Sequence, residues 1–206
     1  AVLNLGGFSN LTVLNGRGKE VTGGDCGPAN SLMDQYALKV FNQEMDTDGD
    51  IAARGDPDQR LLDLFLSHPF FSQSWPKSTG RDLFHSTWLA HQISSYANAN
   101  AADVQATLTE FSARACVNDV LRHGAGADEL IVCGGGAFNT LLVQCLQARL
   151  SPINVFTTDS LGLNVSLVEA TAFAWLAKQC LERQPGNLPK VTGAKDYRTL
   201  GAIYYN

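Results

Sequence analysis

Short apolar runs bounded by glycine open the chain, and longer runs at helical spacing follow. Val2 to Leu5 and Leu11 to Leu14 read as two strands joined through Gly6-Gly7-Phe8-Ser9-Asn10, a glycine-rich hairpin turn. Asn15-Gly16-Arg17-Gly18 makes a second turn, and Val21-Thr22 carries a third strand up to Gly23-Gly24-Asp25. From Ala29 to Asn42, the spacing of Leu32, Met33, Tyr36, Ala37, Val40 and Phe41 predicts a helix. Asp56-Pro57 offers a cap and a first-turn proline for the next helix, whose apolar face is Leu61, Leu62, Phe65 and Leu66. His68-Pro69 ends it.

Phe70 to Thr79 is an aromatic, proline-containing loop that leads into a helix carrying Leu83, Phe84, Trp88 and Leu89. A long helix is expected over Ala101 to Arg122, then a strand over Asp128 to Cys133 and a helix over Asn139 to Leu150. A strand over Ile153 to Thr157 and a closing helix over Val165 to Leu181, with Leu167, Ala170, Ala174, Trp175 and Leu181, complete the pattern. The stretch from Pro189 is irregular and holds a short apolar Ala202-Ile203-Tyr204-Tyr205. Three strands, then helices, then strand-helix-strand-helix is an α/β order: a mixed sheet with an antiparallel edge, covered on both faces.

Composition narrows the class. In 206 residues, 45% hydrophobic and 17% charged content is that of a folded globular protein with a sizeable core. The net charge of −5, with no basic block, argues against nucleic acid or an anionic membrane as main partner. The five cysteines show neither CxxC pairs nor zinc spacing, so no metal site is expected from them; their odd, scattered placement suits a reducing cytoplasm. Asp46-Thr-Asp-Gly-Asp50 has the look of a calcium loop, but Pro57 stands where a bidentate Glu is needed, and the segment reads as a solvated turn. The chain opens at Ala1 directly into a strand, which points to an absent upstream portion.

Candidate chemistry gathers at glycine. Gly134-Gly135-Gly136 follows an apolar strand and precedes a helix, a layout that either brings bare backbone against a nucleotide or makes a tight turn. A dinucleotide fingerprint does not fit, because Asn139 stands where its last glycine belongs. Asp25, between Gly24 and Gly27, is either a carboxylate open to a ligand or the cap of the next helix. Cys26 is a rival nucleophile, but nothing supplies a histidine base for it. Lys77 and Arg81 either meet phosphate or a sugar carboxylate, or form surface ion pairs, the expected state for such residues.

Five stretches then occur in order: Asn4-Leu-Gly-Gly-Phe-Ser-Asn-Leu-Thr12, Gly24-Asp-Cys-Gly-Pro-Ala-Asn30, Pro76-Lys-Ser-Thr-Gly-Arg-Asp82, Cys133-Gly-Gly-Gly-Ala-Phe-Asn139 and Glu169-Ala-Thr-Ala-Phe-Ala-Trp-Leu-Ala177. Together they resemble the C-terminal half of the anhydro-N-acetylmuramic acid kinase family, over essentially the whole chain. The resemblance implies a ribonuclease H-like mixed sheet flanked by helices, one lobe of an actin-, hexokinase- and Hsp70-like kinase, spanning residues 1–206. It implies ATP and Mg2+, an anhydro amino sugar opened with water and phosphorylated on its 6-hydroxyl in cell-wall recycling, a homodimer, and an N-terminal lobe absent from these residues.

By position, Asp25 matches the family's catalytic aspartate, although Cys26 replaces its usual small neighbour. Gly6 and Gly7 match a phosphate loop, with Asn10 beside it. Gly134, Gly135 and Gly136 match the adenosine loop, with Asn139 as cap or contact. Glu169 matches a sugar-side glutamate, in an otherwise apolar helix. The family's first phosphate loop is missing from these residues, so little or no kinase activity is expected of them alone. The competing reading is a catalytically inactive nucleotide-binding or dimerising module.

Overall fold

The computed structural model describes residues 1–15, 20–96, 99–124 and 126–204. Its sheet has five strands: β1 (Val2–Leu5), β2 (Phe8–Asn15), β3 (Glu20–Pro28), β4 (Glu129–Cys133) and β5 (Asn154–Thr157). The order is β3-β2-β1-β4-β5. The β1–β2 and β2–β3 pairs are antiparallel, and β4 and β5 add in parallel. The mixed sheet with an antiparallel edge is therefore as expected. The first turn is tighter than the apolar pattern suggests: only Gly6 and Gly7 separate β1 from β2. The turn expected after Asn15 falls on residues outside the described ones.

Seven helices accompany the sheet among the described residues: α1 (Asn30–Phe41), α2 (Gln59–Leu66), α3 (Ser86–Ile93), α4 (Ala101–His123), α5 (Thr140–Leu150), α6 (Val168–Leu181) and the single turn α7 (Pro189–Thr192). Alternation along the strands sends Leu3, Leu5, Leu11, Val13, Leu130 and Val132 to one face, all buried, where α4 crosses the sheet. Phe111 of α4 has no exposure, and it joins Phe65, Phe71, Phe84 and Trp88 in one aromatic cluster. Burying such a ring contributes about 2–3 kcal/mol. The opposite face, with Val2, Asn4, Asn10 and Thr12, is only half-buried. α7 runs over it at β3, with Val191 against Gly23.

Some boundaries differ from the pattern for identifiable reasons. α2 is capped by Asp58, whose Oδ1 accepts from the Arg60 and Leu61 amides at 2.8 and 3.1 Å, and not by Asp56. The Asp56 and Asp58 amides instead donate to Asp103 and Thr107 of α4, which holds this stretch extended. Leu83 and Phe84 precede α3, because Phe84 is drawn into the aromatic cluster and His85 Nδ1 takes the cap, accepting from Trp88 N at 3.3 Å. Asp46 is not a solvated turn residue. It is buried and accepts from Ile51 N, Ala52 N and Gln105 Nε2, so it fixes the loop from inside.

The closing helix is the largest departure. Val165–Leu167 forms a separate 3₁₀ turn, and α6 buries none of its residues among the described ones. Phe173 is 63% exposed and Leu181 70%, so the apolar content of this helix does not feed the core.

Candidate functional site

A row of polar side chains crosses the half-buried face. Asp25 on β3 lies opposite Asn10 on β2, Asn10 opposite Asn4 on β1, and Asn4 opposite Cys133 on β4. The Cys133 thiol lies 3.8 Å from Asn4 Oδ1. This row sits at the carboxyl ends of the parallel strands β1 and β4, where open α/β sheets take their ligands. A bulge at Ser9–Asn10 brings Asn10 into register with it.

Two clefts open on the row. One, of about 440 Å³, is lined by Asp25, Asn10, Thr12, Ser78 and the Val191–Gly193 turn. The other, of about 560 Å³, is lined by Asn4, Gly6, Gly7, Gly134, Gly135 and Glu169. Asn10 borders both, so they meet at that residue.

Asp25 lies within β3 and does not cap α1, whose N-cap is Ala29. Its Oδ2 accepts from Ser78 Oγ at 3.0 Å and from Thr79 N at 2.9 Å, and its amide donates to Lys77 O at 2.9 Å. Strand alternation turns the neighbouring Cys26 to the other face. There it is fully buried, and a hydrogen bond with Cys116, together with burial, pushes its thiol well above the ordinary range. A thiol held protonated in the core is no nucleophile.

The loop that holds Asp25 is docked from below. Lys77 is not a surface residue: its side chain is 2% exposed, and Nζ lies 3.0 and 3.2 Å from the two oxygens of Asp119, itself 3% exposed. The ammonium also sits 4.6 Å from the Phe70 ring centroid. Burial raises the Asp119 carboxyl above its usual value, and Lys77 opposes that rise. Lys77, Asp119, Ser78 and Thr79 are the contributors that the pattern does not announce. The available signals were a lysine two residues after the aromatic run Phe70–Trp75, and an aspartate three residues after Cys116 on the buried stripe of α4. Arg81 is exposed and forms no ion pair among the described residues.

The glycines divide by cause. Gly134 has φ +82°, and a Cβ there would lie 2.4 Å from Asn4 Oδ1 and 2.8 Å from the Leu5 backbone. Gly136 is buried, with a Cβ position 2.7 Å from Leu5 Cβ. Both are glycine because the loop packs against β1. Gly7 and Gly135 are different: neither has a positive φ, and the nearest atoms to their Cβ positions are 3.7 and 3.8 Å away. No packing reason requires glycine there, and both border the cleft.

The hairpin is fixed through its carbonyls. Gly6 O accepts from Asn30 N, and Gly7 O accepts from Ala29 N and Ser31 N, so the first amides of α1 are already used. Trans peptide geometry then points the Gly7 N–H away from α1. Asn139 caps α5, its Oδ1 accepting from Leu142 N at 3.0 Å, and it lines a different cleft, beside Asp34 and Asp46. Glu169 is exposed in the first turn of α6, where a carboxylate suits the helix dipole.

A model of the family described as anhydro-N-acetylmuramic acid kinase matches residues 1–206. The chain belongs to that family. It is 49% identical over 208 residues to the anhydro-N-acetylmuramic acid kinase of Paraburkholderia xenovorans (strain LB400), an overlap covering 98% of this chain and 55% of that protein. The family member from Burkholderia lata is 47% identical, with 98% and 54% covered, and that from Shewanella sp. (strain MR-4) 46%, with 98% and 55%. The chain thus spans about half the length of the curated relatives it matches.

Among solved structures, the activator of the 2-hydroxyisocaproyl-CoA dehydratase from Clostridium difficile, with bound ADPNP, superposes with a TM-score of 0.51 at 15% identity. It covers 77% of this chain and 53% of that one, a likeness of fold. The expected class, a mixed sheet flanked by helices, stands. Among the described residues, no helix is long and apolar enough to cross a membrane.

Proposed function

We propose that residues 1–206 form the C-terminal lobe of an ATP-dependent kinase for 1,6-anhydro-N-acetylmuramic acid, acting in the cytoplasm in cell-wall recycling. Water attacks the anomeric carbon C1 while Asp25 takes its proton. The C1–O6 bond breaks, its electron pair passes to O6, and O6 attacks the γ-phosphorus of ATP. ADP leaves, and the product is N-acetylmuramic acid 6-phosphate. Neutral water needs a fixed base to open an acetal, and a carboxylate suits that task. Hydrogen bonds from Ser78 and Thr79 engage only Oδ2 of Asp25 among the described residues, which leaves Oδ1 for the water.

The observation that carries this reading is the adjacency of the Asp25 cleft to a cleft walled by bare glycine backbone, with Asn10 between them. In this reading Gly6 and Gly7 meet the phosphates, and Gly134 and Gly135 meet the nucleoside. Gly136 and Asn139 serve the nucleotide by holding that loop in shape. Glu169 bonds sugar hydroxyls, and Asn10 spans the two ligands. Mg2+ accompanies ATP and neutralises phosphate charge. Glu169, which lines the glycine-walled cleft, has a carboxylate of the hard-oxygen kind that would hold the ion beside phosphate and water.

The facing wall of the ATP cleft comes from an N-terminal lobe corresponding to the half of the relatives that these residues do not match. The exposed apolar side of α6 is available to that lobe, or to a second copy in a homodimer. Sugar-dependent ADP release by the native polypeptide carrying these residues tests the reading, with Asp25→Asn as control. Release that needs the sugar and fails in the variant supports it. A catalytically inactive nucleotide-binding or dimerising module would bind ATP in calorimetry and release no ADP.

A further inference from the structure

We infer that the buried Lys77–Asp119 pair is a positioning device for the Asp25 carboxylate, acting through the loop from Trp75 to Thr79. The inference rests on the reading of Asp25 as the base. A buried ion pair contributes little net stability, because desolvation offsets the attraction, and an apolar pair of similar volume often serves the fold as well. Its presence here calls for a reason other than packing.

The geometry supplies one. Asp119 lies on α4, in the rigid centre of the molecule. Lys77 reaches it from the loop, with 3.0 and 3.2 Å contacts and a ring face at 4.6 Å. Trp75, two residues earlier, stacks on His123 of the same helix at 4.4 Å between ring centroids. The loop is therefore fastened to α4 at two points.

From the other side of the same residues it grips β3. Lys77 O accepts the Asp25 amide, and Ser78 Oγ and Thr79 N hold Asp25 Oδ2. Gly24 permits the approach: a Cβ there would stand 3.2 Å from Lys77 N, Lys77 O and the Trp75 ring. The chain of contacts runs Asp119, Lys77, Ser78 and Thr79, Asp25. Lys77 and Asp119 are positioning residues, and they touch no reacting atom. A half-ångström drift of the loop would misplace the base toward its water, and catalysis is sensitive to such drift.

The test replaces the pair by an apolar one, Lys77→Met with Asp119→Leu, in the native polypeptide. Three quantities are read: thermal stability, kcat against KM, and amide exchange at Asp25 and Thr79. The expected result is a melting temperature close to the parent's, kcat lowered on the order of tenfold or more with KM for ATP unchanged, and exchange at those two amides accelerated to a similar degree. Combining it with Ser78→Ala then gives less than the product of the separate effects, because both act on one carboxylate.

A parent-like kcat and parent-like exchange in the folded double variant would overturn the inference. If the double variant does not fold, Asp119→Asn carries the test, with the same expected loss and the same contrary result. If the parent shows no sugar-dependent turnover, the functional reading has failed. The exchange measurement, which needs no substrate, then still decides whether the pair holds Asp25.

Discussion

Asn10 and Asp25 face each other across the β2–β3 ladder, and Asn10 is the residue that borders both clefts. Its neighbour in the next ladder is Asn4, whose amide lies against the Gly134 loop. The row gives the two clefts a common floor.

Replacing Asp25 by Asn keeps the size of the side chain and an oxygen for Thr79 N to donate to. Turnover is expected to fall by about 10²–10⁴, the range for loss of a general base. ATP affinity and melting temperature should stay near the parent values. Initial-rate kinetics beside calorimetry checks this, and a variant with more than a tenth of parent turnover would remove Asp25 from the role.

The two kinds of glycine predict opposite phenotypes. Gly134→Ala puts a methyl 2.4 Å from Asn4 Oδ1 on backbone with φ +82°. It should cost about 2–4 kcal/mol in denaturant unfolding, the range for strain at a special φ combined with overpacking. Gly135→Ala meets nothing closer than 3.8 Å. It should leave stability within about 0.5 kcal/mol, as surface changes do, and weaken nucleotide binding. Equal destabilisation of both variants would contradict the division.

Much of this was legible in the sequence, and the rest failed for physical reasons. The places of the strands along the chain, the glycine hairpin and the long α4 follow from local periodicity, which the sheet and core then reinforce. Asp25 was readable as a candidate carboxylate, but its exclusion from capping was not, because β3 runs on through it to Pro28. Lys77 was misread as a surface residue, since local pattern carries no trace of a partner on α4 forty-two residues away. Asp46 was misread likewise, because its partners are two backbone amides that become available only once the loop has curled and the side chain of Gln105 on distant α4. The apolar residues of α6 looked like core, but none of them is fully buried, and Leu176 and Cys180 lie against the C-terminal stretch, at Gly186 and Gly201.

Asp34 makes stability depend on pH. Burial, reinforced by the nearby charge of Asp46, raises its carboxyl to about 6 from 3.8. Between about pH 4 and 6 the folded state therefore binds more protons than the unfolded chain, and stability falls as pH rises through that window. Asp34→Asn should remove this slope. The variant should gain about 1 kcal/mol at pH 7.5, a figure reduced for partial exposure of the group, and gain nothing near pH 3.5. Urea unfolding at the two values checks it, and an equal effect at both would rule out the titration.

The most direct test of the account follows the oxygen of water. The native polypeptide carrying these residues is given ATP, Mg2+ and 1,6-anhydro-N-acetylmuramic acid in ¹⁸O-water, and the first product is read by mass spectrometry. The account predicts ADP and a sugar 6-phosphate in equal amounts, with the label on the C1 hydroxyl and none in the phosphate. Label in free phosphate, or no sugar phosphate at all, would contradict it.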